Sequence, residues 1–222
     1  MRARTSPPQR PSPHVAAVAA LLLAAGESRR MGAAKALLRW KGASLLRYQI
    51  DQLTQAGVSE IIVVLGHDAD RLLPEVQNGP EVTVVINPDY RQGRTTSIKA
   101  GLRRLSPACA GIMVLAVDQP RRADILRRLV EEFEQRPSAI VAPEYQGRGG
   151  HPAIFARGLL DEMRAITEAK QGLREVTQRR RAELRLVPFE TPEVLLDINT
   201  PQEHQDALEQ YGGPDARPPN QP

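Results

Sequence analysis

One segment, residues 21–38, constrains the fold of this 222-residue chain more than any other, and it reads LLLAAGESRRMGAAKALL. An apolar run ends at Gly26, and two arginines, Gly32 and Lys35 follow. Glycine allows positive φ and a close approach of backbone N–H groups to an anion, because it has no Cβ. The segment therefore predicts a buried strand that delivers a flexible, cationic loop able to bind a polyphosphate.

Two well-known phosphate loops do not fit this segment. Five residues separate Gly26 from Gly32, and Lys35 comes three positions after Gly32 rather than directly after it, so the spacing excludes a Walker A loop. The pattern G-x-G-x-x-G is absent as well. On residue types alone, the alternative interpretation is a strand, a turn and a basic, solvated helix start.

Apolar runs alternate with amphipathic stretches along the whole chain. Strands are predicted at 15–23, 60–65, 82–86, 111–117, 139–142 and 184–187, and helices at 44–56, 68–76, 96–105, 123–135, 159–167, 173–181 and 202–211. The first, second and fourth strands are continuous apolar runs of the kind that parallel sheets bury on both faces. We therefore expect one three-layer α/β/α domain with a doubly wound, mostly parallel sheet, and ligands at the carboxyl ends of its strands.

The domain is expected to cover residues 14–211, with disordered extensions at 1–13 and 212–222. Residues 1–13 hold three arginines and no acid, and the apolar run that follows them mimics a secretory signal. Cleavage there would destroy the cationic loop, and the run is too short to span a membrane. We interpret the run as the first strand and expect a cytoplasmic protein without a membrane partner.

Composition excludes several classes of protein. The net charge is +4, but residues 1–13 supply three of these charges, and a nearly neutral remainder argues against a general nucleic-acid binder. The single cysteine, Cys109, excludes an intramolecular disulfide and a metal site built from several cysteines.

Five blocks, in the right order between Leu21 and His204, resemble the molybdenum cofactor nucleotidyltransferases, and most closely their cytidylyltransferase branch. The blocks are L-A-A-G-x-S-x-R-M-G-x-x-K-x-L-L at 23–38, N-P-x-x-x-x-G-x-x-x-S-x-x-x-G-L at 87–102, D-x-P at 118–120, G-H-P-x-x-F at 150–155 and D-I-N-T-P at 197–201. The resemblance implies a nucleotide-diphospho-sugar transferase-like, Rossmann-type fold. It also implies Mg²⁺-dependent transfer of CMP from CTP to the terminal phosphate of molybdopterin, with release of pyrophosphate.

Three alternatives remain open at this point: GTP as the nucleotide, another phosphorylated acceptor such as a sugar phosphate, and a non-catalytic cofactor chaperone. Intact Arg30, Lys35 and Asp118, which the resemblance implies to be catalytic, count against the chaperone. A molybdoenzyme or a chaperone is a possible protein partner.

Asp118 is the best candidate for a Mg²⁺ ligand. It directly follows an apolar strand, where a carboxylate is costly unless it is solvated, paired or bound to a metal; the alternative is an N-cap for the next helix. Mg²⁺ usually takes one or two protein carboxylates. Asp197 and Asn199 project from one face if their segment is extended, so one of them is expected as the second ligand. The resemblance favours Asn199.

The resemblance implies binding roles for Leu23, Ala24, Ala25, Gly26, Ser28, Gly32, Asn87, Gly93, Ser97, Gly150 and His151. Residues 94–97 precede a helix, whose first free N–H groups can bind a phosphate, a ribose or a base edge. His151 lies in the glycine-rich segment 147–152, interpreted as a mobile substrate loop rather than a metal site. His67 and His204 are expected at the surface.

Three departures or additions bear on specificity. The cytidylyltransferases usually carry G-D-x-G-A-R where residues 168–174 read EAKQGLR, a difference that concerns the acceptor more than the nucleotide chemistry. Ala25 and Ala33 stand where guanylyltransferases typically have glycine, which predicts CTP over GTP. Arg121 and Arg122 lie beside Asp118, and contact with substrate phosphate is one interpretation of them.

Overall fold

The computed structural model describes residues 18–76, 79, 81–136 and 138–212. The proposed extension at 1–13 and the first three residues of the predicted first strand lie outside the described residues, as do residues 213–222. Gly212 belongs to a last helical segment, Leu208–Gly212, and ends the described chain.

Within the described residues, ten strands form two sheets. They are β1 Val18–Ala24, β2 Arg39–Trp40, β3 Ala43–Ser44, β4 Glu60–Leu65, β5 Val82–Ile86, β6 Gly111–Ala116, β7 Ile140–Tyr145, β8 Arg148–Gly149, β9 Ala153–Ala156 and β10 Leu184–Pro188. The main sheet has the order β10-β7-β9-β6-β1-β4-β5, and β8 pairs with β7. The small sheet is the antiparallel pair of β2 and β3.

The main sheet is mostly parallel, as the alternation of elements predicts. β1 pairs in parallel with both β4 and β6, β4 with β5, and β7 with β10. The carboxyl ends of these strands therefore meet at one edge of the sheet. The exception is β9, which runs antiparallel to both β6 and β7 and was not predicted.

Seven α-helices flank the sheet. They are α1 Leu45–Gln55, α2 Ala69–Leu72, α3 Arg94–Leu102, α4 Ala123–Gln135, α5 Leu160–Ala165, α6 Leu173–Arg179 and α7 Pro201–Ala207, counted over the described ranges. Ser44, a residue type preferred at helix N-caps, caps α1: its hydroxyl accepts a hydrogen bond from Arg47 N at 3.2 Å. The predicted helix at 68–76 ends early, at Leu72, because Pro74 lacks an N–H to continue it, and Leu73–Glu75 form a separate 3-10 turn.

Two apolar clusters cover the two faces of the sheet, which confirms the three-layer architecture. On one face, strand residues such as Leu22 pack with Leu53 of α1 and Leu129 of α4. On the other face, Leu21 packs with residues of α3, α5 and α6, including Met163. All seven residues of β1 are buried because neighbours cover the strand on both sides and both faces. Within the described residues, no helix combines the length and apolar character that crossing a membrane requires.

Candidate active site

A cavity of about 350 Å³ opens at the carboxyl ends of β1 and β6. It is lined by Leu23, Ala24, Ala25, Gly26, Ser28, Arg30, Ala34, Lys35, Ala36, His67, Leu72, Tyr90, Arg94, Ser97, Ala116, Val117, Asp118 and Asn199. We call it the first cavity. Ten of the residues singled out in the sequence thus meet here, from four of the five blocks.

The loop after β1 is closed by its own hydrogen bonds. Ser28 adopts a left-handed conformation, with φ 53°, and its hydroxyl accepts a hydrogen bond from Lys35 N at 3.1 Å. Gly32 is also left-handed, with φ 68°, which a residue with a Cβ adopts only under strain. Gly26, in contrast, does not have positive φ, and Ser28 makes the first left-handed turn of the loop.

The loop carries its charge to the end of β6. Lys35 Nζ lies 2.6 Å from Asp118 Oδ2 and 2.9 Å from Asn199 Oδ1. Arg30 Nη2 lies 3.4 Å from the same Asn199 oxygen. Two cations and two oxygen donors from separate parts of the chain therefore converge on one point of the cavity wall.

The donor set at this point fits a hard divalent cation. Asp118 and Asn199 already direct their oxygens at one positive group, the Lys35 ammonium. Mg²⁺ needs only one or two protein oxygens, so it does not require a larger acidic cluster. The described part of the chain contains no group of three or more His, Cys, Asp and Glu side chains arranged to hold a metal.

Asp118 and Asp197 differ in position. Asp118 follows β6 after one residue, Val117. It is not the cap of α4, whose N-cap is Arg122, so the alternative role for Asp118 as a helix cap is wrong. Ile198 N donates to Asp118 O at 2.9 Å, which fixes the 197–199 segment beside β6. Asn199 lines the first cavity, whereas Asp197 does not. Desolvation and then the nearby charge of Asp118 raise the pKa of the Asp197 carboxyl.

The start of α3 forms another part of the wall. Ser97 lines the first cavity, but Asn87 does not, because its amide is used inside the protein. Asn87 is 2% exposed; its Nδ2 donates to the hydroxyls of Thr96 and Ser97, at 2.9 and 3.0 Å. Asn87 therefore joins the end of β5 to α3 and sets the direction of the helix. A direct role for Asn87 in ligand binding remains a prediction.

Glu168 occupies the amino end of α3. Its Oε1 accepts a hydrogen bond from Thr95 N at 2.5 Å. Gly93 leaves room for this side chain, because a Cβ on Gly93 would collide with the carboxyl group of Glu168. Gly93 and Gly32 do not line the first cavity. Gly93 instead admits the acid that caps the helix.

A second cavity, of about 550 Å³, adjoins this helix start. Its walls include Arg94, Thr95, Val114, Ile140, Gly150, His151, Glu168, Gly172, Arg174, Thr177, Arg181 and Leu186. Arg94 lines both cavities. The G-H-P block therefore belongs to the second cavity and the cationic loop to the first, with Arg94 between them.

The loop around His151 is tied down by its backbone. Gly150 N donates to Pro143 O at 2.8 Å, and His151 N donates to Val194 O at 2.9 Å. A Cβ on Gly150 would collide with Val194 O, so this contact requires glycine. Desolvation at the cavity wall and the positive charges of Arg94 and Arg121 lower the pKa of the His151 imidazole to about 4. His151 is therefore neutral at physiological pH.

Arg121 does not reach a substrate phosphate. Its side chain is fully buried, and it donates to the carbonyl oxygens of Pro120, His151, Val194 and Leu196 at 2.8–2.9 Å. Burial lowers the pKa of its guanidinium to about 10, so it remains charged at neutral pH. Arg122 is exposed and pairs with Glu193 and Asp124. The interpretation of Arg121 as a phosphate contact is wrong, because the guanidinium points into the protein.

Sequence reasoning did not assign a site role to His67 or Leu72, which line the first cavity. His67 follows β4, its N donates to Ala25 O at 3.1 Å, and its ring contacts Tyr90. The sequence signal that could have found His67 was its position two residues after a buried parallel strand, at the edge where ligands bind.

Comparison with known proteins agrees with this geometry. Residues 20–184 match the model of the MobA-like NTP transferase domain family. The chain is 31% identical over 202 residues to the molybdenum cofactor cytidylyltransferase of Escherichia coli (strain K12), covering 89% of this chain and 98% of that protein. It is 29% identical over 167 residues to the nicotine blue oxidoreductase of Paenarthrobacter nicotinovorans, covering 71% and 79%.

The crystal structure of Rv0371c from Mycobacterium tuberculosis H37Rv superposes with a TM-score of 0.76 at 26% identity, covering 86% of this chain and 97% of that one. A structure of Rv0371c in complex with manganese superposes with a TM-score of 0.72 at the same identity and coverage. The family match spans most of the chain and the Escherichia coli protein is matched over nearly its whole length, which confirms the resemblance found in the five blocks. The chain therefore belongs to the MobA-like NTP transferase domain family and is a nucleotidyltransferase.

Proposed function

We propose that the protein transfers CMP from CTP to the terminal phosphate of molybdopterin, or of its molybdenum complex, and releases pyrophosphate. The observation that carries this proposal is the convergence of Lys35, Arg30, Asp118 and Asn199 in the first cavity. A nucleotidyl transfer needs cations near the phosphates and oxygen donors for a divalent metal, and this point of the wall supplies both.

In this reaction an oxygen of the acceptor's phosphate attacks the α-phosphorus of CTP. The bond between the α-phosphorus and its bridging oxygen breaks, and the electron pair leaves with pyrophosphate. Lys35 and Arg30 hold the triphosphate and stabilise the charge that develops on the leaving group. No covalent intermediate on the protein is required.

Asp118 and Asn199 are the residues that would hold Mg²⁺. When bound, the metal neutralises phosphate charge and orients the phosphate oxygens. Both ligand oxygens now contact the Lys35 ammonium. Binding of the nucleotide with its metal would free this ammonium to contact phosphate.

We place the acceptor in the second cavity. This cavity is the larger of the two, its sheet wall is apolar at Val114 and Ile140, and Arg174 and Arg181 supply positive charge. An apolar wall suits a ring system and the arginines suit its phosphate. Arg94, which lines both cavities, would then lie between nucleotide and acceptor.

The test is the release of pyrophosphate from CTP, GTP, ATP and UTP, each with Mg²⁺ and with molybdopterin, its molybdenum complex or a sugar phosphate. We expect release with CTP and a molybdopterin acceptor, and none from the Asp118→Ala variant. Release with GTP but not with CTP would show a guanylyltransferase instead of a cytidylyltransferase. Release with the sugar phosphate but not with molybdopterin would show that the acceptor is a sugar phosphate. Tight binding of molybdopterin without release from any nucleotide would support the chaperone.

A further inference from the structure

Arg121 holds three segments of the chain together at one point. Its guanidinium donates to His151 O at 2.8 Å and to Val194 O and Leu196 O at 2.9 Å each. Its Nη1 donates to Pro120 O at 2.9 Å, next to Asp118 in the chain. The side chain is fully buried. One planar group therefore binds the D-x-P turn, the glycine-rich loop and the segment before Asn199.

These three segments carry the walls of both cavities. The D-x-P turn and the segment after Leu196 bring Asp118 and Asn199 to the first cavity, and the glycine-rich loop brings Gly150 and His151 to the second. Two further backbone bonds complete the junction: His151 N to Val194 O and Ile198 N to Asp118 O, both at 2.9 Å. A shift of one segment would therefore move the others.

The chemistry of arginine suits this junction. A guanidinium presents several N–H donors in a rigid fork, whereas a lysine ammonium is a single point of charge on a flexible stem. The acceptors of Arg121 are backbone carbonyls of separate segments, so a lysine cannot satisfy them together in the same geometry. Stability alone does not require a buried charge here, because apolar residues of similar volume often stabilise a fold equally well.

We propose that Arg121 is a positioning residue that fixes the Asp118 and Asn199 oxygens relative to the acceptor cavity. This inference rests on the proposed function for its catalytic consequence, although the effect on metal binding does not need turnover. Arg121 touches no substrate; it acts through the backbone on both sides of the junction.

The experiment compares Arg121→Lys with Arg157→Lys. Arg157 is a matched control, because its Nη1 also donates to a backbone carbonyl, Ser106 O at 3.0 Å, but it lies at the amino end of β6, away from both cavities. Each folded variant is examined for CTP binding without metal, for Mn²⁺ binding with CTP by electron paramagnetic resonance, and for pyrophosphate release.

For Arg121→Lys we expect Mn²⁺ affinity to fall by about tenfold or more, as when a group that orients metal ligands is removed. Turnover should fall with it, while CTP binding without metal should stay unchanged because the cationic loop does not contact Arg121. Arg157→Lys should change none of the three. A folded Arg121→Lys variant with Mn²⁺ affinity equal to that of the wild type would overturn the proposal. If the wild type binds Mn²⁺ and CTP but transfers no nucleotide, the proposed function fails and the Mn²⁺ comparison still decides the role of Arg121.

Hydrogen exchange on the wild-type protein tests the junction even if Arg121→Lys fails to fold. The amides of His151 and Ile198, which donate across the junction, should lose protection together as mild denaturant is added, because one guanidinium holds both segments. Independent opening of these two amides would contradict the proposal.

Discussion

The Lys35 ammonium lies 2.6 Å from a carboxylate oxygen of Asp118, although 83 positions separate the two residues in the chain. The contact depends on two parallel neighbours in the sheet, β1 and β6, whose carboxyl ends deliver the two residues to one cavity. The Ser28 hydroxyl also holds the backbone of Lys35, so the position of the ammonium does not depend on its ion pair alone.

Lys35→Ala and Arg30→Ala should each lower kcat/KM by tenfold or more. Each loses a charge-assisted contact to the triphosphate, on the order of 1.5–3 kcal/mol, and about 1.4 kcal/mol corresponds to tenfold. Arg103→Ala is the control, since Arg103 is exposed at the far end of α3. Near wild-type kinetics in both loop variants would favour a merely solvated loop.

Variants of Asp118, Asn199 and Asp197 should differ in their effect on metal binding, because the three side chains lie at different positions relative to the first cavity. Asp118→Ala should abolish turnover and metal-dependent nucleotide binding while the protein still melts cooperatively. Asn199→Ala should weaken Mn²⁺ binding, Asn199→Asp should strengthen it by adding a charge, and Asp197→Asn should have the smallest effect because Asp197 is outside the cavity. A larger effect at Asp197 than at Asn199 would exchange their assigned roles. Titration of Mn²⁺ with CTP present gives the comparison.

Base selection is predicted to depend on Ala25, which lines the first cavity and is 4% exposed. We expect CTP to be preferred over GTP by at least about tenfold in kcat/KM, within the 1–3 kcal/mol that modest shape differences supply. Ala25→Gly should reduce this preference by leaving more room for a purine. The sequence assigned Ala33 to base selection as well, but Ala33 is exposed and outside the cavity wall, so we expect Ala33→Gly to leave the preference unchanged and use it as the matched control. Steady-state kinetics with both nucleotides decide the matter, and an unchanged ratio in Ala25→Gly would remove this residue from base selection.

His151 should make stability depend on pH. Its pKa is lowered to about 4 in the folded protein, below its usual value near 6.5, so the unfolded chain binds more protons between these values. The wild type should therefore lose stability as pH falls from about 6.5 to about 4. The His151→Gln variant lacks this loss and should gain stability relative to the wild type over the same window. Urea unfolding of both proteins, referenced to pH 8, measures the difference; a constant difference would show that the imidazole titrates normally.

Glu168→Gln should change the binding of the acceptor without changing the binding of the nucleotide. The Glu168 carboxylate caps α3 at Thr95 N inside the second cavity, where an anionic acceptor would meet its charge. We expect a lower KM for the acceptor, an unchanged KM for CTP, and a loss of about 0.3–1 kcal/mol in stability from the weaker helix-terminus interaction. If the acceptor KM rises instead, Glu168 contributes a favourable contact to the acceptor.

Local patterns were sufficient for the parallel strands and for the charged part of the first cavity, whereas His67 and Leu72 of its wall were not predicted. A buried apolar run followed by glycine and cations specifies both a strand and the place where its loop emerges, and Lys35 was predicted on that basis. Asp118 was predicted because a carboxylate after an apolar strand is costly unless it is solvated, paired or bound to a metal. Arg121 was misassigned because sequence does not show which way a charged side chain points after a strand. The strand β9 was missed because its four residues follow Pro152 and are too few to show a recognisable alternation of apolar and polar side chains. Asn87 likewise depends on the distance to Thr96 and Ser97, which only the folded chain defines.

The reversed strand β9 has a consequence for how such a protein can diversify. A parallel successor to β7 would need a long crossover to the opposite edge, whereas the antiparallel β9 starts at the ligand edge and needs only the short connection through β8 and His151. Residues 146–149 of this connection precede Gly150 and His151, whose backbone bonds and contact with Arg121 fix them to the site. With the acceptor in the second cavity, as proposed, exchange of residues 146–149 between relatives should change the acceptor range while Asp118 and Asn199 keep their positions.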